Sequence, residues 1–356
     1  MNDTTEFQGA ADLDGDSMST GNDGQGGGRF QISRRGLLTA GTALLAAQYL
    51  GVRPSFAADY KFAAALGWTT YDSGRHLQDG FNAAVKELGG TLTTTDAGFD
   101  AKKQSDQIDS LVATKPDALF ITPADAVAIA PAVQRALNAG IPVFAADSMV
   151  PGVAVNTTAM SNNFGMGFYT GDYIARKLNG KGPIARVLLP QNESWDQRTL
   201  GMEWALKRYP DIKIVTSWAF ALAGNVTPRQ AVDNILTAHD DLAAVWCAWD
   251  GAAVEGTLAA RAADRPNLII TGIDGGSQAF NYIAAGSQLK LTMAQSFYEM
   301  AYLDVFYAHE HLAGRKTPRT VITPAYAVTQ EMLKAGLPDD YDVPGRAGEL
   351  GWVRAV

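Results

Sequence analysis

The sequence contains a single cysteine, Cys247, so an intramolecular disulfide is excluded and the core has to be stable through packing alone. Cys247 lies in the apolar run 244–248, which is typical of a buried and unreactive thiol. Histidine is also scarce, with 4 in 356 residues, and no Gly-x-Ser-x-Gly motif is present. Neither a metal site nor a catalytic nucleophile is therefore expected.

Two short motifs suggest a metal or a cofactor, and neither is convincing. Side chains two residues apart on a helix point in different directions, so His309-Glu310-His311 predicts a solvated helix face instead of a metal site. Residues 165–171 nearly match a dinucleotide fingerprint, but Thr170 stands where the third glycine belongs. Close helix packing explains these glycines better, and no cofactor is expected.

Basic charge is in deficit, because 29 Lys and Arg face 37 Asp and Glu and the net charge is -8. Nucleic acid is excluded as a partner, since its phosphates need a basic surface. Hydrophobic residues at 47% and charged residues at 19% indicate a soluble protein. The length allows two domains, each with its own core.

Long apolar runs are missing apart from a moderately apolar stretch at 36–50. Arg34 and Arg35 come directly before it, so residues 1–57 are predicted to be a disordered acidic leader and a twin-arginine signal peptide. The small residues around Ala57 predict cleavage there or one residue later. A single membrane anchor is the alternative, but the stretch is short and interrupted by glycine and polar residues.

The sequence also leaves two alternatives for the initiator methionine. Acidic residues precede the arginines, whereas export signals usually begin with positive charge. Met18 is therefore an alternative initiator.

From Tyr60 onward, short apolar strands alternate with amphipathic helices, which is typical of parallel βαβ units. Strands are predicted at 61–66, 91–95, 118–121 and 143–146, then at 184–189, 212–217, 243–248, 268–271 and 289–294, and as one last strand at 320–328. Among the helices between them, one is predicted at 77–88, one at 198–209 and a long one at 297–312. The two halves are similar to each other, since residues 107–121 resemble residues 233–245. We therefore predict an α/β fold made of two similar doubly wound parallel-sheet lobes.

Asp147 and Asp274 each occupy the carboxyl end of a predicted buried strand, one in each half. In open α/β sheets the ligand crevice lies just outside these strand ends. A carboxylate there is poor core material and faces a cleft. We predict that Asp147 and Asp274 hold hydroxyl groups of one small polar ligand between the two lobes.

Other polar and aromatic residues are predicted at the same strand ends. They are Trp68, Tyr71, Asp72, Asp125, Asn192, Trp195, Trp218, Trp249 and Asp250. Hydroxyl groups need hydrogen bonds while the C–H faces of a sugar pack on rings, so this combination favours a carbohydrate. Core packing is the alternative for each aromatic side chain. A carbohydrate-acting enzyme that uses cleft carboxylates is the alternative function.

Several segments carry a resemblance to a known family when they are taken in this order. They are residues 78–81 with 87–89, 139–143 followed by Asp147, 163–175, Arg198 with Gly201, 236–239, 272–275 and 292–295. Over about residues 61–328 the chain resembles the periplasmic sugar-binding proteins of ABC importers, ribose-binding protein type. The resemblance implies a monomeric, non-enzymatic hinge protein in the periplasm, which closes on a monosaccharide or sugar alcohol and delivers it to a membrane permease.

The resemblance also implies the site. Asp147, Arg198, Asp274 and Gln295 stand where the family binds sugar hydroxyls, and the loop with Tyr71 and Asp72 also faces the ligand. Ser148 and Trp249, the latter beside Asp250, stand where the ribose type has an arginine and an asparagine. The sequence therefore does not specify ribose, and another pentose, a hexose or an open-chain sugar alcohol fits as well.

The lobe boundaries follow from the same resemblance. Residues 58–158 with 296–322 are predicted to form the first lobe. Residues 159–295 with 323–332 are predicted to form the second, and residues 333–356 a C-terminal strap.

Overall fold

The structure is a computed structural model, and it describes residues 59–190, 192–221, 226–335 and 352–356. The predicted export signal, with Arg34, Arg35 and the cleavage positions at Ala57 and Ala58, lies outside the described residues, as does most of the strap. None of the helices described is long and apolar enough to cross a bilayer.

Strands and helices alternate along the chain. The strands are β1 (Lys61–Leu66), β2 (Thr91–Asp96), β3 (Ala118–Thr122), β4 (Val143–Ala146), β5 (Thr157–Ser161), β6 (Lys181–Leu188), β7 (Asp211–Ala219), β8 (Ala244–Cys247), β9 (Ile269–Asp274), β10 (Leu289–Gln295), β11 (Thr320–Thr323) and β12 (Ala325–Thr329). The helices are α1 (Asp72–Leu88), α2 (Ala101–Ala113), α3 (Ala126–Asn138), α4 (Asn163–Lys177), α5 (Glu193–Leu206), α6 (Pro228–Ala238), α7 (Asp250–Ala262), α8 (Ser277–Ala284) and α9 (Phe297–Leu312).

These strands form two six-stranded sheets, one in each lobe. The first has the order β11-β5-β4-β3-β1-β2 and all its pairs are parallel. The second has the order β12-β10-β9-β8-β6-β7, and only β12 is antiparallel to its neighbour. The predicted fold class, two similar doubly wound α/β lobes, is confirmed.

Strand β1 shows why the strands are nearly continuous apolar runs. Phe62, Ala64 and Leu66 pack in one cluster with residues of α1 and α9, whereas Ala63 and Ala65 pack in another with residues of α2 and α3. Because helices cover both faces of the sheet, both sets of side chains have to be apolar. Polar side chains are therefore expected mainly at the carboxyl ends of the strands, which the helices do not cover.

Within the described residues the chain passes between the lobes three times, after β5, after β10 and after β11. The hydroxyl groups of Ser161 and Thr323 lie 3.1 Å apart where two of these crossings run side by side. The lobe boundaries given above stay predictions, and β5 extends across the one at residue 158.

Two glycines bring α4 and α5 into direct backbone contact. A Cβ atom on Gly167 would lie 1.8 Å from the carbonyl oxygen of Arg198, and one on Gly201 would lie 2.0 Å from that of Phe164. Glycine is therefore needed at both positions. The interpretation of the residues 165–171 as a close helix contact is confirmed.

Two strand predictions were wrong. Strand β5 was not predicted, because its sequence Thr-Thr-Ala-Met-Ser is largely polar, yet all five residues are buried. The single strand predicted at 320–328 is two strands, β11 in the first sheet and β12 in the second, separated by Pro324. Proline has no N–H group for the ladder, so the strand is interrupted there.

The predicted starts of two helices were also wrong, and both lie beside the strand ends. Helix α1 begins at Asp72 instead of Leu77, and α5 begins at Glu193 instead of Arg198. Polar residues fill these first turns, so apolar periodicity detects only the later part of each helix. As a result Asp72 and Glu193 lie on helices and not on loops.

The prediction of a solvated face for His309-Glu310-His311 was wrong for the first histidine. His309 is buried at 8% exposure and contacts the rings of Tyr60 and Phe62 at centroid distances of 5.2 Å. Burial lowers the pKa of this imidazole, which favours its neutral form. His309 thus packs α9 against Tyr60 and Phe62 at the start of the first sheet.

Candidate functional site

Asp147 and Asp274 occupy equivalent positions in the two lobes. Asp147 follows the last residue of β4, and Asp274 is the last residue of β9. Both have positive φ, +74° and +138°, a conformation that is uncommon for residues with a side chain. At each of these two residues the positive φ turns the backbone away from the direction of the strand.

Arg198 and Asp274 form the centre of a network of hydrogen bonds. The Nη1 atom of Arg198 donates to Oδ1 of Asp274 at 3.0 Å and to the carbonyl of Ala248 at 2.9 Å. Its Nε atom donates to Oδ1 of Asn163 at 2.8 Å, and Nε2 of Gln295 donates to Oδ1 of Asp274 at 3.0 Å. These bonds compensate the burial of Arg198, which is 1% exposed, and fix its orientation.

Burial shifts the acid equilibrium of both aspartates. Loss of water raises the pKa of Asp147 to about 7; the charge of Arg198 opposes this shift, while the charges of Asp274 and Glu193 add to it. Burial likewise raises the pKa of Asp274, and the charge of Arg198 opposes that shift most strongly. The influence of Asp274 on Asp147 places the two carboxylates within electrostatic range of each other.

Three acceptor oxygens in this region are buried without a hydrogen-bond partner among the described residues. They are Oδ1 of Asp147, Oε1 of Gln295 and Oε2 of Glu193. An unpaired buried acceptor costs roughly 1–3 kcal/mol, so native proteins rarely leave one unused. A bound molecule that donates hydrogen bonds would satisfy all three.

Asp250 is buried at the start of α7, and protein donors already engage both oxygens of its carboxylate. Oδ2 accepts from the N–H groups of Gly275 and Gly276 at 2.8 Å each, and Oδ1 accepts from the hydroxyl of Thr292 at 2.7 Å. Burial raises the pKa of Asp250 to about 7, and the charge of Asp274 adds to the shift. This arrangement favours a positioning role, in which Asp250 holds the turn that follows Asp274.

Asp72 and Tyr71 are at the start of α1 in the first lobe. Oδ2 of Asp72 accepts from both the N–H and the hydroxyl of Ser277 in the second lobe, and Oδ1 pairs with Arg75. Tyr71 is 50% exposed, and its ring meets Phe99 edge-on at 5.9 Å. Asp72 therefore contacts the opposite lobe, while Tyr71 lies at the exposed edge of the candidate site.

Ser148 is fully buried and takes part in a contact between the lobes. Its hydroxyl donates to Oδ1 of Asn192, and the hydroxyl of Ser194 donates to the backbone carbonyl of Asp147 at 2.7 Å. Asn192 also donates to the carbonyl of Pro123 at 3.3 Å. The first turn of α5 is thus bonded directly to the strand ends of the first lobe.

Aromatic side chains line the two sides of the same region. Trp68 of the first lobe stacks on Phe99 and lies 6.2 Å from Trp195 of α5, measured between ring centroids. Trp249 is half-buried at the start of α7 and lies 5.6 Å from Phe220. Asp125 is not in this group, because its carboxylate caps α3 by accepting from Val127 and Ala128.

The structure thus brings Asp147, Ser148, Arg198, Asp274 and Gln295 together at the strand ends, with Asp72 and Asp250 bonded to adjacent turns. The assignment of these residues to ligand binding stays a prediction. Sequence reasoning missed Asn163 and Ser194, and it did not assign Glu193 to the site. The run of polar residues after β6 was the available signal for Glu193 and Ser194, whereas Asn163 carries none.

Comparison with known proteins agrees with this arrangement. The model of the periplasmic binding protein domain family matches residues 65–316. Among curated proteins, the chain is 28% identical over 257 residues to the ribose import binding protein of Bacillus subtilis, covering 72% of this chain and 82% of the relative. It is 26% identical over 242 residues to the D-apiose import binding protein of Actinobacillus succinogenes, covering 67% and 77%.

Solved structures share the fold. A sugar ABC transporter subunit of Rhodobacter sphaeroides is 26% identical with a TM-score of 0.71, over 76% of this chain and 98% of that one. A solute-binding protein of Agrobacterium vitis, bound with allitol, has a TM-score of 0.72 at 23% identity, over 78% and 97%. At that level of identity the second likeness concerns the fold alone.

Proposed function

Since the chain belongs to the periplasmic binding protein family, we propose that it captures a monosaccharide or sugar alcohol outside the cytoplasm and delivers it to the permease of an ABC importer. The family match covers residues 65–316, which include strands β2 to β10 and the end of β1. The relatives named above are import binding proteins for ribose and D-apiose. A xylitol-binding protein of Mycolicibacterium smegmatis, 24% identical over 250 residues, adds a sugar alcohol to their ligands.

One observation carries the proposal, namely the three unpaired buried acceptors beside the Arg198–Asp274 pair. A polyhydroxylated ligand supplies several O–H donors within a few ångströms, and such a set satisfies Asp147, Gln295 and Glu193 together. The Trp68–Trp195 contact supplies aromatic surface for C–H faces. A ligand that lacks one hydroxyl would leave one acceptor unpaired, which gives the site its selectivity.

Hinge closure is part of the proposed mechanism. The three crossings between the lobes supply the segments about which they rotate, and the hydroxyl pair of Ser161 and Thr323 joins two of these crossings. Arg198 donates a hydrogen bond to Asn163, the first residue of α4, which directly follows the first crossing. Ligand that engages Arg198 and Asp274 from one lobe and Asp147 from the other would favour the closed arrangement.

Family membership implies an extracytoplasmic location. We propose that the chain reaches it by the twin-arginine route and acts as a monomer. Replacing Arg34 and Arg35 by lysine should retain the precursor in the cytoplasm, as fractionation and immunoblotting would detect. Normal export of that variant would exclude the twin-arginine route without affecting the proposed binding function.

The enzyme alternative has no support among these relatives, which are import binding proteins. A thermal-shift screen over pentoses, hexoses, deoxysugars and polyols tests the proposal. A true ligand at one hundred times its Kd adds about 2.7 kcal/mol to the free energy of unfolding, which raises Tm by several degrees. Mass spectrometry should recover that ligand unchanged. If no sugar raises Tm, or if a sugar is consumed, the proposal is wrong.

A further inference from the structure

Glu193 lies at the contact between the lobes although no sequence motif marks it. It begins α5, and its two neighbours, Asn192 and Ser194, bond to Ser148 and to the carbonyl of Asp147. This holds the Glu193 backbone against the strand ends of the first lobe. The charge of Glu193 accordingly acts on Asp147 and raises the pKa of that carboxyl.

The unpaired polar atoms of the site are all of one kind. Asp147 and Gln295 are 1% and 3% exposed, whereas Glu193 is half-buried and only its Oε2 atom is shielded from water. Each of the three is an acceptor. A molecule that contacts all three would have to donate at least three hydrogen bonds.

The charges in the site do not balance. Asp274 is paired with Arg198 at 3.0 Å, and Asp250 is stabilised by three protein donors. No cation among the described residues forms a salt bridge with Asp147 or Glu193, although Arg198 attenuates the effect of burial on Asp147. Burial raises the pKa of both carboxyls, the charge of Glu193 adds to the shift of Asp147, and the side chain of Gln197 hydrogen-bonds to Glu193.

Arg75 does not supply the missing positive charge. Its guanidinium pairs with Asp72 and donates to the carbonyl of Thr70 at 3.1 Å, and its side chain is 55% exposed. A carboxylate that loses water without forming a salt bridge is stabilised either by a captured proton or by a cationic ligand.

We infer that Glu193 is a specificity-determining residue of the site, and that the ligand is a polyhydroxylated compound bearing a protonated amine, an amino sugar or an aminopolyol. The inference rests on the proposed function and narrows its substrate class. An ammonium group offers three donors and one positive charge. Placed between Asp147 and Glu193, it pairs both carboxylates, while hydroxyl groups of the same molecule reach Gln295. A neutral sugar supplies donors but leaves the negative charge uncompensated.

Matched pairs of compounds test the inference. Isothermal titration at pH 6.5 would compare glucosamine with glucose, galactosamine with galactose, and glucamine with sorbitol. Each pair differs by one amine in place of one hydroxyl. We expect the amine of at least one pair to bind about tenfold more tightly than its neutral partner, because a hydrogen bond to a charged group contributes more than a neutral one.

The variant Glu193→Gln keeps the size of the side chain and removes its charge. It should reduce the ratio of amine to neutral affinity at least severalfold. Glu203→Gln is the matched control, since Glu203 lies on the same helix but pairs with Arg186 away from the site. That variant should leave the ratio unchanged. The wild-type comparison stands even if the Glu193 variant folds poorly.

The outcomes separate the inference from the function on which it rests. If neutral sugars bind at least as tightly as their amines, or if Glu193→Gln leaves the ratio unchanged, the inference is wrong while the proposed function stands. If neither these compounds nor any sugar in the wider screen binds, the proposed function fails and the inference fails with it.

Discussion

The carboxylate of Asp72 joins the two lobes by accepting two hydrogen bonds from Ser277, one from the backbone N–H at 3.0 Å and one from the hydroxyl at 2.7 Å. Ser277 is the first residue of α8 and has no capping side chain from its own lobe. Asp72 therefore supplies the cap from the opposite side. In the proposed hinge closure this contact would form only when the lobes are together, and it would stabilise the closed arrangement without involving any ligand atom.

Replacing Ser277 by alanine should weaken ligand binding. The change removes one interlobe hydrogen bond, worth about 1 kcal/mol, and raises Kd about fivefold when closure is coupled to binding. Isothermal titration measures this, and small-angle scattering with ligand should show a larger radius of gyration at subsaturating concentration. Ser110→Ala is the control, because Ser110 is exposed and bonds only within α2. Equal affinity of the two variants would contradict a role for Ser277 in closure.

Ligand affinity should rise with pH through about 7. The raised pKa of Asp147, about 7, means that this carboxyl is partly protonated near neutrality, and ligand donors bind its ionised form. For a neutral sugar or polyol we expect Kd to be about tenfold higher at pH 5.5 than at pH 8.5, and Asp147→Asn should remove most of this dependence. Titrations at three pH values check it. A variant that keeps the full dependence would assign the titration to another group, such as Glu193 or Asp274.

The raised pKa of Asp147 has the opposite effect on the stability of the ligand-free protein, which should fall as pH rises. Because the pKa of Asp147 is higher in the folded than in the unfolded chain, the unfolded chain loses its proton first as pH rises. Stability from this group is therefore present below the ordinary carboxyl pKa and is lost as pH approaches 7. Ligand should add more to Tm at pH 8 than at pH 5.

Replacing Asp274 by alanine should abolish the ligand-dependent rise in Tm. The change removes the acceptor for Arg198 and Gln295 and leaves the buried guanidinium without its carboxylate. The rise in Tm is measured against each variant's own ligand-free Tm, so a general loss of stability does not affect the comparison. Asp109→Ala, which breaks an exposed pair with Arg135, should keep the full shift. A normal shift in the Asp274 variant would remove this residue from the site.

Asp304 should limit the stability of the first lobe above acidic pH. This residue of α9 is fully buried, neither of its carboxyl oxygens has a partner among the described residues, and burial raises its pKa well above the ordinary value. The unfolded chain releases this proton at lower pH than the folded chain, so stability is lost as pH rises above about 4.

The variant Asp304→Asn keeps the shape and removes the ionisation. We expect its free energy of unfolding to exceed that of the wild type by at least about 1 kcal/mol at pH 7, and the difference to vanish near pH 4. Urea denaturation at both pH values measures it. A less stable variant at pH 7 would mean that the carboxylate is used in the folded state.

The sequence was sufficient for the main architecture because apolar strands and helices alternate clearly. Strands β1 and β4 and helix α9 have the predicted limits, and Asp147 and Asp274 were identified as strand-end residues from position alone. What failed were the elements whose burial depends on distant neighbours. The polar residues of β5 are buried only because β4 and β11 flank them.

The site was harder to predict because its partners are remote in sequence. Asp72 and Ser277 are 205 positions apart, and Asp250 accepts from residues 25 to 42 positions later. No local pattern records such pairs. Glu193 was not predicted as a site residue because the polar first turn of its helix carries no apolar periodicity.

The backbone contact between α4 and α5 has a consequence for how this protein can change. The carbonyl oxygen that faces Gly167 belongs to Arg198, so the position of the Arg198 guanidinium depends on how closely two glycines let the helices approach. Adding one methyl group at Gly167 or Gly201 would push α5 outward and carry Arg198 with it. Under the proposed role of Arg198, ligand preference would change through apolar substitutions that contact no ligand and alter no charge.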